Sequence, residues 1–252
     1  MVVTRKISII TGGSRGIGAA TAILAAKAGY DICISYIANE AAADKVLTAC
    51  ESHGARAIKV QGDVANEADV ETLFTTCDTA LGPVDFLVNN AGIVGETSRV
   101  DALPASALER IYRVNVFGSF YCAQQAVRRM STKHGGIGGS IVNLSSIAAT
   151  IGSAGEYVHY AATKGAIDSF TIGLAREVGR EGIRVNAVQA GTADTDVHTI
   201  GGGNPDRPAM VAATSALGRV ATANEIAEAI LWLGSDKASY ATGTVLRIGG
   251  GL

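Results

Sequence analysis

The sequence Thr11-Gly-Gly-Ser-Arg-Gly-Ile-Gly18 joins a short apolar run to a longer alanine-rich one near the start of the chain. The run before it, residues 7–11, is rich in β-branched side chains and predicts a strand, whereas residues 17–28 are typical of a helix. Glycines at such a junction let the backbone turn sharply and approach a pyrophosphate at the N-terminus of the helix. Glycine also marks any tight turn, so the position of the loop after the first strand is what favours a nucleotide site.

The same alternation of short strands and longer helical stretches continues along all 252 residues. Because each helix must cross back over the sheet, the alternation predicts parallel strands with helices on both faces. We therefore expect one α/β domain over residues 1–252, a doubly wound (Rossmann) parallel sheet of about seven strands. The predicted strands are residues 7–11, 31–36, 55–61, 86–89, 140–144, 184–188 and 244–248. The predicted helices are residues 17–28, 40–53, 67–81, 104–129, 157–181 and 224–235.

Residues 191–217 depart from this pattern, since they include Gly201-Gly-Gly-Asn-Pro205, are rich in Thr and Ala, and have no strong period. The segment follows the sixth predicted strand, and open α/β sheets bind ligands at the carboxyl ends of their strands. Long irregular segments in compact domains are usually functional. We interpret residues 191–217 as a substrate-binding lid, with an ordinary surface loop as the alternative.

Composition excludes several classes of partner. A net charge of −2 without a basic tract argues against nucleic acid and anionic membrane surfaces. No apolar run approaches the ~20 residues that span a bilayer, and the first residues lack a secretory pattern. The four cysteines form neither a CxxC motif nor a metal-binding spacing, so we expect no metal and a reduced, cytoplasmic protein.

Two further motifs accompany the glycine loop: Asn89-Asn-Ala-Gly92 after the fourth predicted strand and Tyr160-Ala-Ala-Thr-Lys164 on a predicted helix. Together, and in this order, they resemble the short-chain dehydrogenase/reductase family over the whole chain. The resemblance implies hydride transfer between a nicotinamide dinucleotide and a carbonyl or secondary alcohol. It is compatible with 3-oxoacyl-thioester reduction and with sugar dehydrogenation, and it leaves the substrate and the physiological direction open. A catalytically silent dinucleotide-binding sensor or scaffold is the alternative, which an intact Ser146, Tyr160 and Lys164 oppose.

The end of the second predicted strand indicates which dinucleotide is used. An acidic residue there would bind the ribose 2′-hydroxyl and repel a 2′-phosphate. This strand ends at Tyr36, and no carboxylate follows until Glu40. Arg15 is the basic residue that NADP-binding relatives often place in the glycine loop, and Asn39 could add a neutral hydrogen bond. We therefore expect NADP(H), with a solvated surface charge as the alternative interpretation of Arg15.

The resemblance implies the remaining contacts to the dinucleotide. They are Gly12, Ser14, Gly16, Ile17 and Gly18 in the glycine loop, Asp63 and Val64 at the adenine, Asn90, Ala91 and Gly92 beneath the adenosine ribose, Lys164 and Tyr160 at the nicotinamide ribose, and Gly191, Thr192 and Thr195 near the carboxamide. The family's Pro-Gly after the sixth strand is Ala190-Gly191 here, which makes that turn less rigid.

Tyr160 and Lys164 are four residues apart, so they share one face of the predicted helix. A free tyrosine has a pKa of about 10, too high for proton exchange near neutrality. An ammonium about 4 Å away would favour the tyrosinate by roughly 4 kcal/mol at an effective dielectric constant of 20, with desolvation opposing. We expect a lowered pKa and a role for Tyr160 as general acid and base. Tyr157 lacks a lysine four residues later, and His159 is expected to be structural.

A hydroxyl that donates to the substrate oxygen is predicted in Asn143-Leu-Ser-Ser146. We choose Ser146 and keep Ser145 as the alternative, because Ser146 precedes Tyr160 by fourteen residues, one more than is usual in the family. The extra residue is expected in Gly152-Ser-Ala-Gly-Glu156. Asn115 matches the family asparagine that holds a water in a proton relay from Lys164. Relatives commonly form tetramers through the helices here at residues 104–129 and 157–181 and the C-terminal residues 245–252, so we expect a homotetramer.

Overall fold

A computed structural model of the chain describes residues 5–195 and 206–252, and its elements alternate as the sequence predicts. The strands are β1 Lys6–Ile10, β2 Tyr30–Tyr36, β3 Ala57–Gln61, β4 Phe86–Asn89, β5 Gly139–Ser146, β6 Ile183–Ala190 and β7 Val245–Ile248. The α-helices are α1 Gly16–Lys27, α2 Glu40–Glu51, α3 Glu67–Ala80, α4 Ala105–Tyr112, α5 Gly118–Met130, α6 Ala148–Ile151, α7 Val158–Val178, α8 Arg207–Thr214 and α9 Ala223–Gly234.

The seven strands form one parallel sheet in the order β3-β2-β1-β4-β5-β6-β7. The chain leaves β1 toward β2 on one side and returns to β4 on the other. Ligands in such sheets bind in the crevice that opens at this reversal, at the carboxyl ends of the strands. The predicted doubly wound α/β fold is confirmed.

Helices cover both faces of the sheet and bury a separate core on each. Along β2, Ile32 and Ile34 enter one core, while Cys33 enters the other, as the two-residue period of a strand requires. The first core packs against α1, α2 and α9, and the second against α3, α5 and α7. Most strand residues are therefore apolar, although polar side chains also lie within the strands, such as Asn143 in β5 and Asn186 in β6.

The structure differs from the sequence-based boundaries in three places. The predicted helix over residues 104–129 is two α-helices joined by a π-helical turn, Arg113–Phe117, because side-chain bonds from Asn115 fix the backbone there. The short helix α6 follows β5 directly. Part of the lid that was expected to be irregular forms α8, with a proline in its first turn. Residues 196–205 of the predicted lid, including Gly201-Gly-Gly-Asn-Pro205, lie outside the described residues.

Across the described ranges, no helix is both long and apolar enough to cross a membrane. Within the same ranges, no three His, Cys, Asp or Glu side chains are grouped in a way that could hold a metal ion.

Candidate active site

The glycine loop between β1 and α1 adopts a backbone that side chains would obstruct. Gly12 and Gly16 have left-handed φ values of +62° and +54°. A Cβ on Gly18 would lie 2.5 Å from both the amide nitrogen of Asn90 and the Gly12 carbonyl oxygen. The first turn of α1, which includes Ile17, carries no acidic side chain, so its free N–H groups suit an anion. The loop from Gly12 through Ser14 to Gly18 therefore fits a pyrophosphate.

The Asn90–Gly92 segment after β4 is hydrogen-bonded to this loop. The Asn90 side chain donates to the carbonyl oxygens of Thr11 at 2.7 Å and Gly12 at 3.1 Å. The backbone N–H groups of Asn90 and Ala91 both donate to the Thr11 hydroxyl at 3.0 Å. A Cβ on Gly92 would stand 3.3 Å from Asn115 Oδ1. This segment links the glycine loop to the residues around Lys164.

The end of β2 fits a 2′-phosphate better than a free 2′-hydroxyl. Tyr36 is buried, and the nearest following carboxylate, Glu40, pairs with Lys59 at 2.9 Å. Arg15 is exposed, and its side chain makes no hydrogen bond or ion pair within the described part of the chain. Asn39 uses its side-chain oxygen to cap α2 through the Ala42 N–H, which leaves only its NH₂ group for a ligand.

Asp63 and Val64, which are expected at the adenine, contact residues of α4 and α5. The Asp63 carboxylate forms an ion pair with Arg110 at 2.9 Å and accepts from the Ala65 N–H. Val64 packs so closely on Gly118 that a Cβ there would approach it to 2.8 Å. Both residues lie after β3, on the adenosine side of the predicted site, and stay candidates for it.

Ser146 ends β5, and Tyr160 lies in the first turn of α7. The Ser146 hydroxyl is close enough to the phenol of Tyr160 to lower its pKa by hydrogen bonding. Ser145 points to the other side of the strand, where its hydroxyl donates to the Lys164 carbonyl oxygen at 3.3 Å. The structure thus brings Ser146, not Ser145, to the phenol.

The stretch between Ser146 and Tyr160 where the sequence predicts an extra residue contains a tight turn. Gly152, Ser153 and Gly155 all have left-handed φ values, +75°, +48° and +76°. Ser153 is the non-glycine residue among them, in a conformation that costs an L-residue about 1–2 kcal/mol. The turn falls within the stretch 152–156 where the sequence predicts the insertion.

The electrostatics of Tyr160 and Lys164 differ from the sequence-based expectation. Lys164 Nζ donates to the Leu144 carbonyl oxygen at 2.6 Å and stands 5.6 Å from the centre of the Tyr160 ring. Burial lowers the pKa of Lys164 to about 8, with Asp168 one turn later opposing. Burial also raises the pKa of Tyr160, and the nearby groups that lower it are Ser146 and Arg207. The expected lowering by Lys164 was wrong, because desolvation outweighs the attraction and the ammonium is directed at a carbonyl group.

Asn115 lies in the π-helical turn, a type of distortion frequent at functional sites, and is almost fully buried. Its side-chain oxygen accepts from the Ile93 N–H at 2.9 Å, and its NH₂ group donates to the Ile93 carbonyl at 2.8 Å and to the Thr163 hydroxyl at 3.1 Å. Asn115 therefore joins the loop after β4 to α7. The sequence motifs do not indicate Thr163, which an ordinary helix pattern does not distinguish from its neighbours.

The described ends of the predicted lid lie close to the glycine loop and to α7. The Gly191 N–H donates to the Ile248 carbonyl at 2.8 Å, and the Thr192 carbonyl accepts from Ala221. A Cβ on Gly16 would be 3.4 Å from the Thr195 methyl group. At the other end, Arg207 forms an ion pair with Glu156, a contact across 51 positions that no sequence motif indicates.

Tyr157 and His159 precede Tyr160 and were not chosen as catalytic residues from the sequence. Both make contacts that are typical of structural residues. Tyr157 is buried, with its hydroxyl 2.9 Å from the Thr97 hydroxyl. His159 is buried against Gly95, and burial lowers its pKa.

Comparisons with known proteins agree with this geometry. The model of a family described as enoyl-(acyl carrier protein) reductase matches residues 12–252. The uncharacterized oxidoreductase YgfF of Escherichia coli K12 is 46% identical over 97% of this chain and 99% of its own length. An L-rhamnose 1-dehydrogenase (NAD(P)⁺) of Sphingomonas is 36% identical over 98% of this chain and 96% of its own.

Among solved structures, a short chain dehydrogenase from Burkholderia cenocepacia in complex with NADP superimposes with a TM-score of 0.89 at 33% identity. The match covers 98% of this chain and 97% of that one. The fold, the three motifs in order and these matches lead to one conclusion. The chain belongs to the short-chain dehydrogenase/reductase family and is an oxidoreductase that exchanges a hydride with a nicotinamide dinucleotide.

Proposed function

We propose that the chain transfers a hydride reversibly between NADP(H) and a carbonyl or secondary alcohol, with Tyr160 as general acid and base. The observation that carries this proposal is the juxtaposition of Ser146 and Tyr160, with Lys164 one turn further along α7. Two neighbouring hydroxyl groups can both hydrogen-bond to one oxygen, which fits a carbonyl or alcohol oxygen. When bound, the nicotinamide supplies the hydride to the carbonyl carbon or takes it from the alcohol carbon.

Each residue has a separate role. Tyr160 gives its proton to the carbonyl oxygen in reduction and takes it back in oxidation. Ser146 donates a hydrogen bond to the same oxygen and stabilises the charge that develops on it. Lys164 binds the nicotinamide ribose hydroxyls. Asn115, fixed by Ile93 and Thr163, keeps the loop after β4 against α7 and takes part in proton supply to Lys164.

NADP(H) is the preferred dinucleotide. Arg15 offers an exposed cation without a partner among the described residues, and Tyr36 places no carboxylate where a 2′-phosphate would bind. The NAD(P)-dependent rhamnose dehydrogenase and the NADP complex of the Burkholderia relative support the assignment. The glycine loop, Asp63, Val64, Asn90–Gly92 and the Thr192–Thr195 segment form the rest of the binding surface.

Residues 191–217 act as the substrate lid, and the chain works as a cytoplasmic homotetramer. The position of Thr195 supports the first statement, since its methyl group would lie 3.4 Å from a Cβ on Gly16, so that the start of this segment is beside the dinucleotide loop. All four cysteines are free and buried, which favours a reducing compartment. Exposed apolar side chains on α5 and α7 favour association of these helices with other copies.

The test measures reduction of a ketone and aldehyde panel, including cyclic ketones, and oxidation of aldoses such as rhamnose, with each dinucleotide. We expect turnover of at least one compound and a Kd for NADPH at least about tenfold below that for NADH, equivalent to ~1.4 kcal/mol. Fluorescence titration gives both constants. A chain that turns over nothing on the panel, or that binds the two dinucleotides equally, would contradict the proposal.

Two variants test which residues determine the preference for NADPH over NADH. Arg15→Ala combined with Tyr36→Asp should reverse it, because the first removes the phosphate partner and the second adds a carboxylate for the 2′-hydroxyl. Arg180→Ala is the control, since Arg180 is also exposed but precedes β6, at the opposite edge of the sheet. This control should leave both constants unchanged.

A further inference from the structure

Arg207, the first residue of α8, contacts the residues that immediately precede α7. Its guanidinium group forms an ion pair with the carboxylate of Glu156 and lies 5.2 Å from the centre of the Tyr157 ring. The Arg207 side chain is only about one-fifth exposed, so the pair is partly desolvated. Such a cation gains from both the charge and the aromatic face. These contacts dock the described end of the predicted lid onto the start of the helix that carries Tyr160.

The docking point is itself held by a third segment. The Glu156 carbonyl accepts from the Ser98 N–H at 2.9 Å, and the Tyr157 hydroxyl is 2.9 Å from the hydroxyl of Thr97. The loop after β4, the turn before α7 and α8 therefore meet around Tyr157, which is 2% exposed. All three segments follow the carboxyl ends of strands, the edge at which such sheets bind substrates.

The charge of Arg207 also reaches Tyr160 and favours the tyrosinate. Among the described residues, the Ser146 hydroxyl also lowers the pKa of the phenol, the ammonium of Lys164 lies 5.6 Å from the centre of its ring, and Glu156 carries the negative charge that pairs with Arg207. His159, the preceding residue, has its pKa lowered by burial. Lys164 is hydrogen-bonded to the Leu144 carbonyl. Arg207, at the start of α8, thus adds a second positive charge to that of Lys164.

We propose that Arg207 is a positioning residue that docks α8 on Glu156 and Tyr157, closes the substrate side of the site and holds a cation beside Tyr160. The inference rests on the proposed function, because it concerns the same phenol and the same lid. It predicts two separable effects of Arg207, one on carbonyl binding and one on the titration of Tyr160.

The first experiment compares Arg207→Leu with a matched control, Arg129→Leu. Arg129 also forms a partly buried ion pair, with Asp78, and its guanidinium group also lies 5.2 Å from an aromatic ring, that of Phe74. We expect Arg207→Leu to raise the KM of a carbonyl substrate at least about tenfold, since an undocked lid no longer orients it, while the Kd of NADPH stays within about threefold. Equal effects of the two variants on KM would overturn the proposal.

Charge reversal separates docking from loss of structure. Glu156→Arg and Arg207→Glu should each raise KM, and the double variant should recover most of the loss, because the ion pair is rebuilt with opposite polarity. A double variant as impaired as the worse single variant would show that docking does not depend on this pair. Arg207→Lys keeps the charge and should retain most of the wild-type KM.

The second experiment needs no turnover. The ultraviolet titration of Tyr160 is isolated by subtracting the curve of Tyr160→Phe, and its midpoint is compared among variants. Removal of a cation destabilises the tyrosinate, so Arg207→Leu must move the midpoint to higher pH, whereas Arg207→Lys and Arg129→Leu leave it in place. An unchanged midpoint in Arg207→Leu would overturn the electrostatic role. A wild-type chain that reduces no carbonyl would count against the proposed function, while this titration would still decide the role of Arg207.

Discussion

At the scale of single residues, the site shows what spacing can and cannot predict. The interval of four between Tyr160 and Lys164 predicts one shared helix face; Lys164 is buried on α7, and Tyr160 is half-buried there. Spacing carries no information on desolvation, which depends on the elements packed above the pair. Burial therefore raises the pKa of Tyr160 although a lysine lies one turn away. Ser146 and Arg207, rather than Lys164, are the groups that lower the pKa of the phenol.

The choice between the two serines gives a residue-scale prediction. Ser146→Ala removes a donor to the substrate oxygen and should lower kcat by roughly 10²–10³, the usual effect of losing one such hydrogen bond. Ser145→Ala should change kcat far less and instead lower the free energy of unfolding by about 1 kcal/mol, because its hydroxyl bonds the Lys164 carbonyl. Steady-state kinetics and urea unfolding measure the two effects. If Ser145→Ala impairs kcat as much as Ser146→Ala, the assignment of the serine is wrong.

At the scale of elements, the periodic segments were predictable and the irregular ones were not. Each predicted strand lies within about two residues of β1 to β7, because apolar β-branched runs and turn residues mark both ends. The π-helical turn at Asn115 was not predicted from the sequence pattern, since it depends on hydrogen bonds to Ile93 across 22 positions. Helix α8 was not predicted either, because its eight residues are too few to establish a hydrophobic period.

The glycine loop gives the prediction at this scale. Gly18→Ala places a Cβ 2.5 Å from the backbone oxygen of Gly12 and the Asn90 side chain, so the loop must shift. We expect the Kd of NADPH to rise at least about tenfold, since backbone N–H groups in this loop hold the pyrophosphate. Gly173→Ala is the control: it is also a helical glycine, on α7, and its Cβ would meet no atom within 4 Å. Fluorescence titration should show an unchanged Kd for the control, and equal constants for both variants would contradict the role of the loop.

At the scale of the whole molecule, the sheet order brings distant motifs together. The glycine loop follows β1, the Asn90–Gly92 segment follows β4 and Ser146 ends β5, and these three strands are neighbours in the sheet. Parallel strands end at the same edge, so three motifs spread over about 140 residues meet there. This part of the site was predictable from sequence, because motif order and parallel topology determine it. The approach of Arg207 to Glu156 was not, since it depends on how α8 packs.

Assembly is the whole-molecule prediction. Leu108, Phe117, Phe120 and Ile172 on α4, α5, α7 and the turn between the first two are each 37–44% exposed, and Phe120 stacks on Phe170 at 3.9 Å. Such a surface favours burial against another copy. Light scattering at micromolar concentration should give a tetramer. Phe120→Asp with Ile172→Asp should dissociate it, whereas Ile137→Asp, at a more exposed apolar residue before β5, should not. A monomeric wild type would contradict the assembly.

The central claim is that Tyr160 moves the proton while other residues bind the dinucleotide, and one variant tests it most directly. Tyr160→Phe removes the phenol oxygen and keeps the ring, so NADPH binding and carbonyl reduction are measured side by side on wild type and variant. The account predicts a loss of kcat of at least about 10³ with a Kd for NADPH within about threefold of wild type. A variant that retains a tenth or more of the wild-type kcat would show that another group supplies the proton.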